Sequence, residues 1–173
     1  MTVITTVAIQ PFALYDGELA SNTTGTPVAN TAYLVAAQPL RVPATLTGIR
    51  VRFNAGGAGH YDVGIYSDVN GVPTSLLGHS ASSNTALVTA TGVQTPALIG
   101  GNLALLAGRY WLALWIDNAT DTITKQGGAN NNMVLVQSGT NAGPLPAAAS
   151  SLSGLANANF KPLLIGILLN GWT

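Results

Sequence analysis

The segment Ile49-Arg50-Val51-Arg52-Phe53 places an apolar side chain at every second position, with an arginine in each gap. That is the period of a β-strand with one buried and one solvated face. Tyr61-Asp62-Val63-Gly64-Ile65-Tyr66 repeats it. Tyr61, Val63 and Ile65 fall on one face and Asp62, Gly64 and Tyr66 on the other, so this strand too is expected to be half-buried. Arg109-Tyr110-Trp111-Leu112-Ala113-Leu114-Trp115-Ile116 is apolar on both faces, which predicts a central strand covered from both sides. Further strands are expected at Met133–Gln137 and Phe160–Leu169, the latter with Pro162 early in the run, where a strand tolerates it. Shorter ones are expected near Tyr33–Ala37, Leu76–Ser80, Ala86–Ala90 and Thr95–Ile99.

Helix signals are scarce, and 20 Gly and 9 Pro punctuate the chain. Together these features predict an all-β, jelly-roll-like β-sandwich of about 8–10 strands. The sandwich domain is expected over residues 31–173, preceded by an N-terminal arm over 1–30. The arm begins with a short apolar run ending near Leu14 and continues into turn chemistry at Asp16-Gly17-Glu18 and Ser21-Asn22-Thr23-Thr24-Gly25-Thr26-Pro27. Phe12, Leu14 and Tyr15 are its candidate contacts with another subunit. Residues 138–159, with Gly143-Pro144-Leu145-Pro146 followed by alanines, read as a long low-complexity connection, of a length that is usually functional or mobile.

Composition removes several function classes. At 173 residues the chain is one domain by length. Only 7% of residues are charged, six basic against six acidic, so the formal net charge is zero. Nucleic-acid binding by phosphate neutralisation needs clustered Lys and Arg, which are absent. Zero Cys excludes disulfides, thiolate metal sites and a cysteine nucleophile. The opening Met-Thr-Val-Ile-Thr-Thr-Val lacks the basic start of a signal peptide, and the apolar runs Leu103–Ala107 and Leu163–Leu169 are too short for a membrane helix. The expectation is a soluble chain made in a cytoplasm, with no membrane partner. A surface with so little charge favours association, which points to burial against partners.

Candidate chemistry is thin. Gly78-His79-Ser80-Ala81-Ser82 sets a histidine beside a serine, but it is not a nucleophile elbow, and neighbours on a strand point to opposite faces. Asp62 and Asp68 are the nearest carboxylate pair, yet Asp68 sits in Ser67-Asp68-Val69-Asn70-Gly71-Val72-Pro73, whose Asn-Gly is a hairpin turn. The same segment lacks the later ligands of a calcium loop. His60 and Asp62, two apart on a strand, are two metal ligands without a third. No catalytic residue, metal or cofactor is therefore expected. Trp111 and Trp115 share a face with Ala113, and the leucines around them predict core rather than an exposed sugar-stacking row. Arg50 and Arg52 share a strand face from which they can pair carboxylates across an interface. Trp172, after Asn170-Gly171, is expected to be exposed or docked on a partner.

Three segments carry a resemblance. Ala44-Thr45-Leu46-Thr47-Gly48-Ile49-Arg50-Val51, Val63-Gly64-Ile65-Tyr66-Ser67-Asp68-Val69-Asn70-Gly71-Val72-Pro73-Thr74-Ser75-Leu76-Leu77, and Leu103-Ala104-Leu105-Leu106-Ala107-Gly108-Arg109-Tyr110-Trp111-Leu112-Ala113-Leu114 occur in that order. They resemble the opening strand, the glycine–tyrosine–turn hairpin and the tyrosine-tryptophan-leucine-alanine strand of a jelly-roll module of tailed-bacteriophage virion proteins. The resemblance spans about residues 31–117, with a last strand at Phe160–Leu169. A free-standing, cysteine-free module of this kind is most similar to capsid decoration (cement) proteins. The resemblance implies a non-enzymatic structural protein on the virion capsid surface, a homotrimer bound to the major capsid protein. The alternative it implies is a tail- or head-fibre domain that binds a host glycan receptor, for which an exposed aromatic near Trp172 or Tyr66 would be the mark.

Overall fold

A computed structural model describes residues 13–14, 22–81, 87–126 and 136–169. Its strands are β1 (Ala13–Leu14), β2 (Asn22–Gly25), β3 (Thr31–Ala36), β4 (Ala44–Ala55), β5 (His60–Val69), β6 (Val72–His79), β7 (Leu87–Val88), β8 (Gly92–Gln94), β9 (Leu103–Leu105), β10 (Tyr110–Ile116), β11 (Thr122–Gln126), β12 (Val136–Thr140), β13 (Ser153–Asn157) and β14 (Ile165–Leu169). A 3-10 turn, Ala149–Ser151, precedes β13. The strands form two antiparallel sheets. One runs β1-β14-β4-β11-β2, with β8 and β9 also on β4; the other runs β13-β12-β3-β10-β5-β6, with β7 on β5. The all-β sandwich expected from the sequence is what the chain forms.

The first sheet is organised by β4, whose long run pairs successively with β9, β14, β8 and β11. Ile49, Val51 and Phe53 are buried and Arg50 and Arg52 exposed, as the alternation requires. Upstream the phase reverses: Leu46 points inward, and pairing with β14 slips between Ile167 and Leu168. The slip sits opposite Gly48, where a Cβ would lie 2.7 Å from the Pro96 carbonyl oxygen. Only glycine lets the two backbones approach there. Two pieces of the segment expected as an arm, β1 and β2, pair with β14 and β11 and so belong to the chain's own sheets.

Between the sheets lies the main core, with Leu46, Ile49, Val51 and Phe53 meeting Tyr33, Val35, Tyr61, Val63, Ile65, Leu112 and Leu114. The central strand β10, between β3 and β5, is buried along its whole length. Here the structure departs from the half-buried expectation for β5: Asp62, Gly64 and Tyr66 are buried as well. The cover is the segment expected to be a long loop. Its residues 141–152 form a strap across the outer face of the second sheet, and Leu145, Ala149 and Leu152 pack on Ala32, Leu34, Tyr66, Trp111, Ala113 and Trp115 in a second apolar cluster.

Small residues seat the strap. In register across β3, β10 and β5, Leu34, Ala113 and Gly64 stand side by side, and a Cβ on Gly64 would lie 2.7 Å from Leu145 Cδ1. Gly139 on β12 is equally tight, since a Cβ there would lie 2.8 Å from Leu152 Cβ. Polar bonds then hold the strap: Trp115 Nε1 donates to the Asn141 carbonyl (2.9 Å), Tyr66 Oη to the Pro146 carbonyl (2.7 Å), and Leu76 N to the Ala147 carbonyl (2.8 Å). Leu145→Ala is expected to cost about 2–5 kcal/mol, read as a lower denaturant midpoint. Red-shifted tryptophan emission before global unfolding would show the strap lifting first; unchanged stability would mean the strap is not part of the core.

Candidate functional site at the apolar, basic end of the sandwich

The residues singled out in the sequence do not converge on one site. Arg50 and Arg52 lie exposed on the outer face of the first sheet; Arg50 Nε is 3.4 Å from Thr95 Oγ1, and neither arginine pairs with a carboxylate among the described residues. Leu14 pairs with Gly166, which in turn pairs with Ile49, so the backbone sets Leu14 two strands from the position next to Arg50. Phe12, Tyr15 and Trp172 lie outside the described residues.

The catalytic and metal candidates resolve into structural bonds. Asp62 is wholly buried, and its carboxylate accepts hydrogen bonds from His79 Nδ1 (2.9 Å), Ser80 N and Oγ (both 3.1 Å), Ala81 N (2.9 Å) and Leu145 N (3.1 Å). Ser80 thus donates to the aspartate and not to the histidine, the reverse of what a nucleophile needs. His60 turns away from Asp62 to Asp117 (Nδ1–Oδ2 2.8 Å), so the two-ligand metal reading has no geometry behind it. Among the described residues no three His, Asp or Glu side chains gather as a metal site. Asp68 closes the expected hairpin: Asn70 and Gly71 both have positive φ, 56° and 81°. Its carboxylate accepts Gly71 N at 3.0 Å and Trp111 Nε1 at 2.7 Å.

The tryptophans of β10 and Tyr66 are not exposed as stacking surfaces either. Trp111 and Trp115 are 1% and 3% exposed beneath the strap, and Tyr66 is fully buried. Burial, assisted by the charge of Asp62, pushes the Tyr61 phenol up to about 12 and that of Tyr66 higher still. The mark of a glycan-stacking face at Tyr66 is therefore not met. Among the described residues no helix is long and apolar enough to cross a membrane.

What the fold does assemble is an end. Tyr110 pairs with Ser67, which sets the β5–β6 hairpin tip beside the residues that lead into β10. Leu40 bridges Gly108, Ala44 pairs with Leu105, and Leu169 pairs with Thr45. The hairpin, the 37–43 and 106–109 connections and the end of β14 therefore share one end of the sandwich. Val42, Val69, Val72, Leu106 and Leu169 are exposed there, Leu106 at 75%. Arg41 and Arg109 stand among them in the same two connections and make no ion pair among the described residues. Scattered single apolar residues are ordinary on a surface; five gathered at one end of an almost uncharged protein mark a contact region.

At the opposite end Val28, Val88 and Val93 are exposed too, but the polar groups there are internally bonded. Asp117 accepts from His60 N (2.7 Å) and His60 Nδ1, and Asp121, itself buried, from Thr89 Oγ1, Asn118 Nδ2 (2.9 Å) and Ala58 N (3.3 Å). All four described aspartates thus spend their oxygens inside the chain, while the described arginines face outward without carboxylate partners. Among the described residues the surface charge left without an opposite partner is positive, while the net charge of the whole chain is zero.

Comparison of the chain with protein-family models, with curated proteins and with solved structures finds no match. What can be read of its function comes from its own geometry and from the resemblance of its strands.

Two measurements check this account. Asp62→Asn turns an amide toward donors that now bind a carboxylate, and is expected to destabilise the fold by about 3–5 kcal/mol in urea titration; a change below about 1 kcal/mol would show that the carboxylate does not organise the strap. At the polar end, burial works to raise the Asp117 carboxyl, but the His60 N–H, the His60 ring and the Asn118 amide outweigh it and hold the group below the ordinary carboxylate range. A depressed native value contributes stability above the ordinary aspartate value of about 4 and loses it as pH falls through the native value. Acid titration of the melting temperature should therefore show a fall below about pH 4 that is shallower in Asp117→Asn.

Proposed function

We propose that this protein is a non-enzymatic structural protein of a phage virion, one that decorates the head and docks on the major capsid protein through the apolar, basic end of its sandwich. The observation that carries the reading is that end: Val42, Val69, Val72, Leu106 and Leu169 exposed around Arg41 and Arg109. Three further features support it. The strands that resemble the virion module are present in sequence order, the catalytic candidates are bound up in structural hydrogen bonds, and the described surface offers arginines while the described aspartates are bonded within the chain.

Apolar side chains buried at such an interface contribute about 1.5–3 kcal/mol each. Individually weak contacts become effective when a symmetric shell repeats them. Self-association as a homotrimer, which the resemblance implies, would multiply the contacts of each docking event in the same way.

The test is co-sedimentation with heads that lack the protein. Leu106→Asp combined with Val69→Asp is expected to weaken binding at least ~10-fold while leaving the melting temperature nearly unchanged, because both residues are exposed. Wild-type binding by this variant would move the docking surface elsewhere. Absence of the protein from purified particles, or equal resistance of heads to heating with and without it, would overturn the decoration role.

A further inference from the structure

A groove of about 520 Å³ opens at the side of the sandwich where β3, β12 and β13 meet the 158–160 segment. It is separate from the apolar end. Its wall is an ordered set of hydroxyls, because Tyr33 pairs with Ser138, Thr31 with Thr140, and Thr140 with Ser153. Residues paired directly across strands point to the same face, so these side chains project together. A register slip between Ser138 and Thr140, with Gly154 at φ 67°, bends β13 around them. Opposite lie Val28, Ala158 and Phe160, and Asn159 stands at the rim. Among the described residues no charged side chain lines the groove; Lys125 Nζ lies 5.8 Å from the Phe160 ring centre.

Tyr33 supplies the second observation. It is 2% exposed, its ring lies 4.9 Å from that of Phe160, and its oxygen accepts the Val28 N–H at 2.7 Å. Among the described residues no acceptor takes its hydroxyl proton. A buried hydroxyl with an unspent donor is costly unless something in the groove accepts from it. The side chains of Ser138, Ser153 and Asn159 likewise make no hydrogen bond among the described residues.

From this geometry we infer that the groove is a binding site for an uncharged saccharide. The volume lies within the range of small-ligand pockets, and such sites combine an apolar wall with a few placed polar groups. A sugar ring has the matching two-sided chemistry: hydroxyls for Tyr33, Ser138, Ser153 and Asn159 and for the accepting oxygens of Thr31 and Thr140, whose own protons go to the Ala29 and Ser153 carbonyls, and a C–H face for Val28 and Phe160. An anionic ligand would find no counter-charge in the described lining, and a cationic one no carboxylate. The site does not depend on the decoration reading, and it differs from the tryptophan face, which the strap closes.

The test is amide NMR on the full chain, titrated with methyl glycosides and trisaccharides of glucose, galactose, mannose, rhamnose and N-acetylglucosamine, with sialyllactose and glycerol as controls. Saturable shifts at residues 31, 138–140, 153–154 and 159, with a Kd from ~0.1 to ~10 mM, are expected for at least one neutral sugar. Ser138→Leu, which fills the groove, should abolish them. Tyr33→Phe should weaken binding several-fold, and Thr140→Val, which keeps the side-chain shape, provides a second variant if Tyr33→Phe is unstable. Leu106→Asp should leave sugar binding intact, and Ser138→Leu should leave head binding intact, so each site can fail alone. No saturable shift at ~20 mM, shifts that persist in Ser138→Leu, or a preference for sialyllactose over every neutral sugar would each overturn the assignment.

Discussion

A carboxylate removed from water costs several kcal/mol unless donors replace its hydration, and Asp62 is placed where only the folded chain can supply them. Its donors come from the end of β6, from the Ser80–Ala81 backbone that follows, and from Leu145 in the strap. The strap must therefore close for the charge to be satisfied, and its closing makes the outer face of the second sheet into core. Trp115, directly across from Asp62 on β10, is covered by the same movement and gives its indole N–H to Asn141. One buried charge thus ties a segment 83 residues away in sequence to the middle of the sheet.

This arrangement also governs what the surface offers. With both faces of β3, β10 and β5 buried, Trp111, Trp115 and Tyr66 are no longer available for recognition, and the described aspartates are engaged within the chain. Among the described residues, what remains outside is neutral polar cover, arginines without carboxylate partners, and exposed apolar side chains, five of them at one end. A protein with so little charge cannot rely on long-range electrostatic steering; its contacts have to be short-range and shape-dependent. An apolar end repeated by symmetry and a neutral hydroxyl-lined groove both work in that way.

The strands were legible where one periodicity prevailed. Ile49–Phe53 and the run Tyr110–Ile116 kept the faces and burial that their spacing implied, and the Asn70–Gly71 turn formed as its dipeptide requires. Boundaries were less legible: the expected strand at Thr95–Ile99 is replaced by β8 and an isolated bridge between Gly48 and Ala97, and the last strand begins only at Ile165. Arg50 and Arg52 were found as an exposed pair, but the residues that share the apolar end come from four separate connections. No local pattern links Val42 to Leu106 or Val69 to Leu169.

By itself, then, the sequence determined the all-β class, the central strand and the hairpin, because alternation and turn chemistry act over a few neighbouring residues. It also determined that few charges are available to the surface, because composition is independent of fold. Only the tertiary structure decided that Gly143-Pro144-Leu145-Pro146 and the alanines after it form a cover, that Asp62 is a structural anchor, and that hydroxyls on three strands line one groove. Each of these depends on pairing between segments far apart in the chain, and a period of two carries no information about which strand lies beside which.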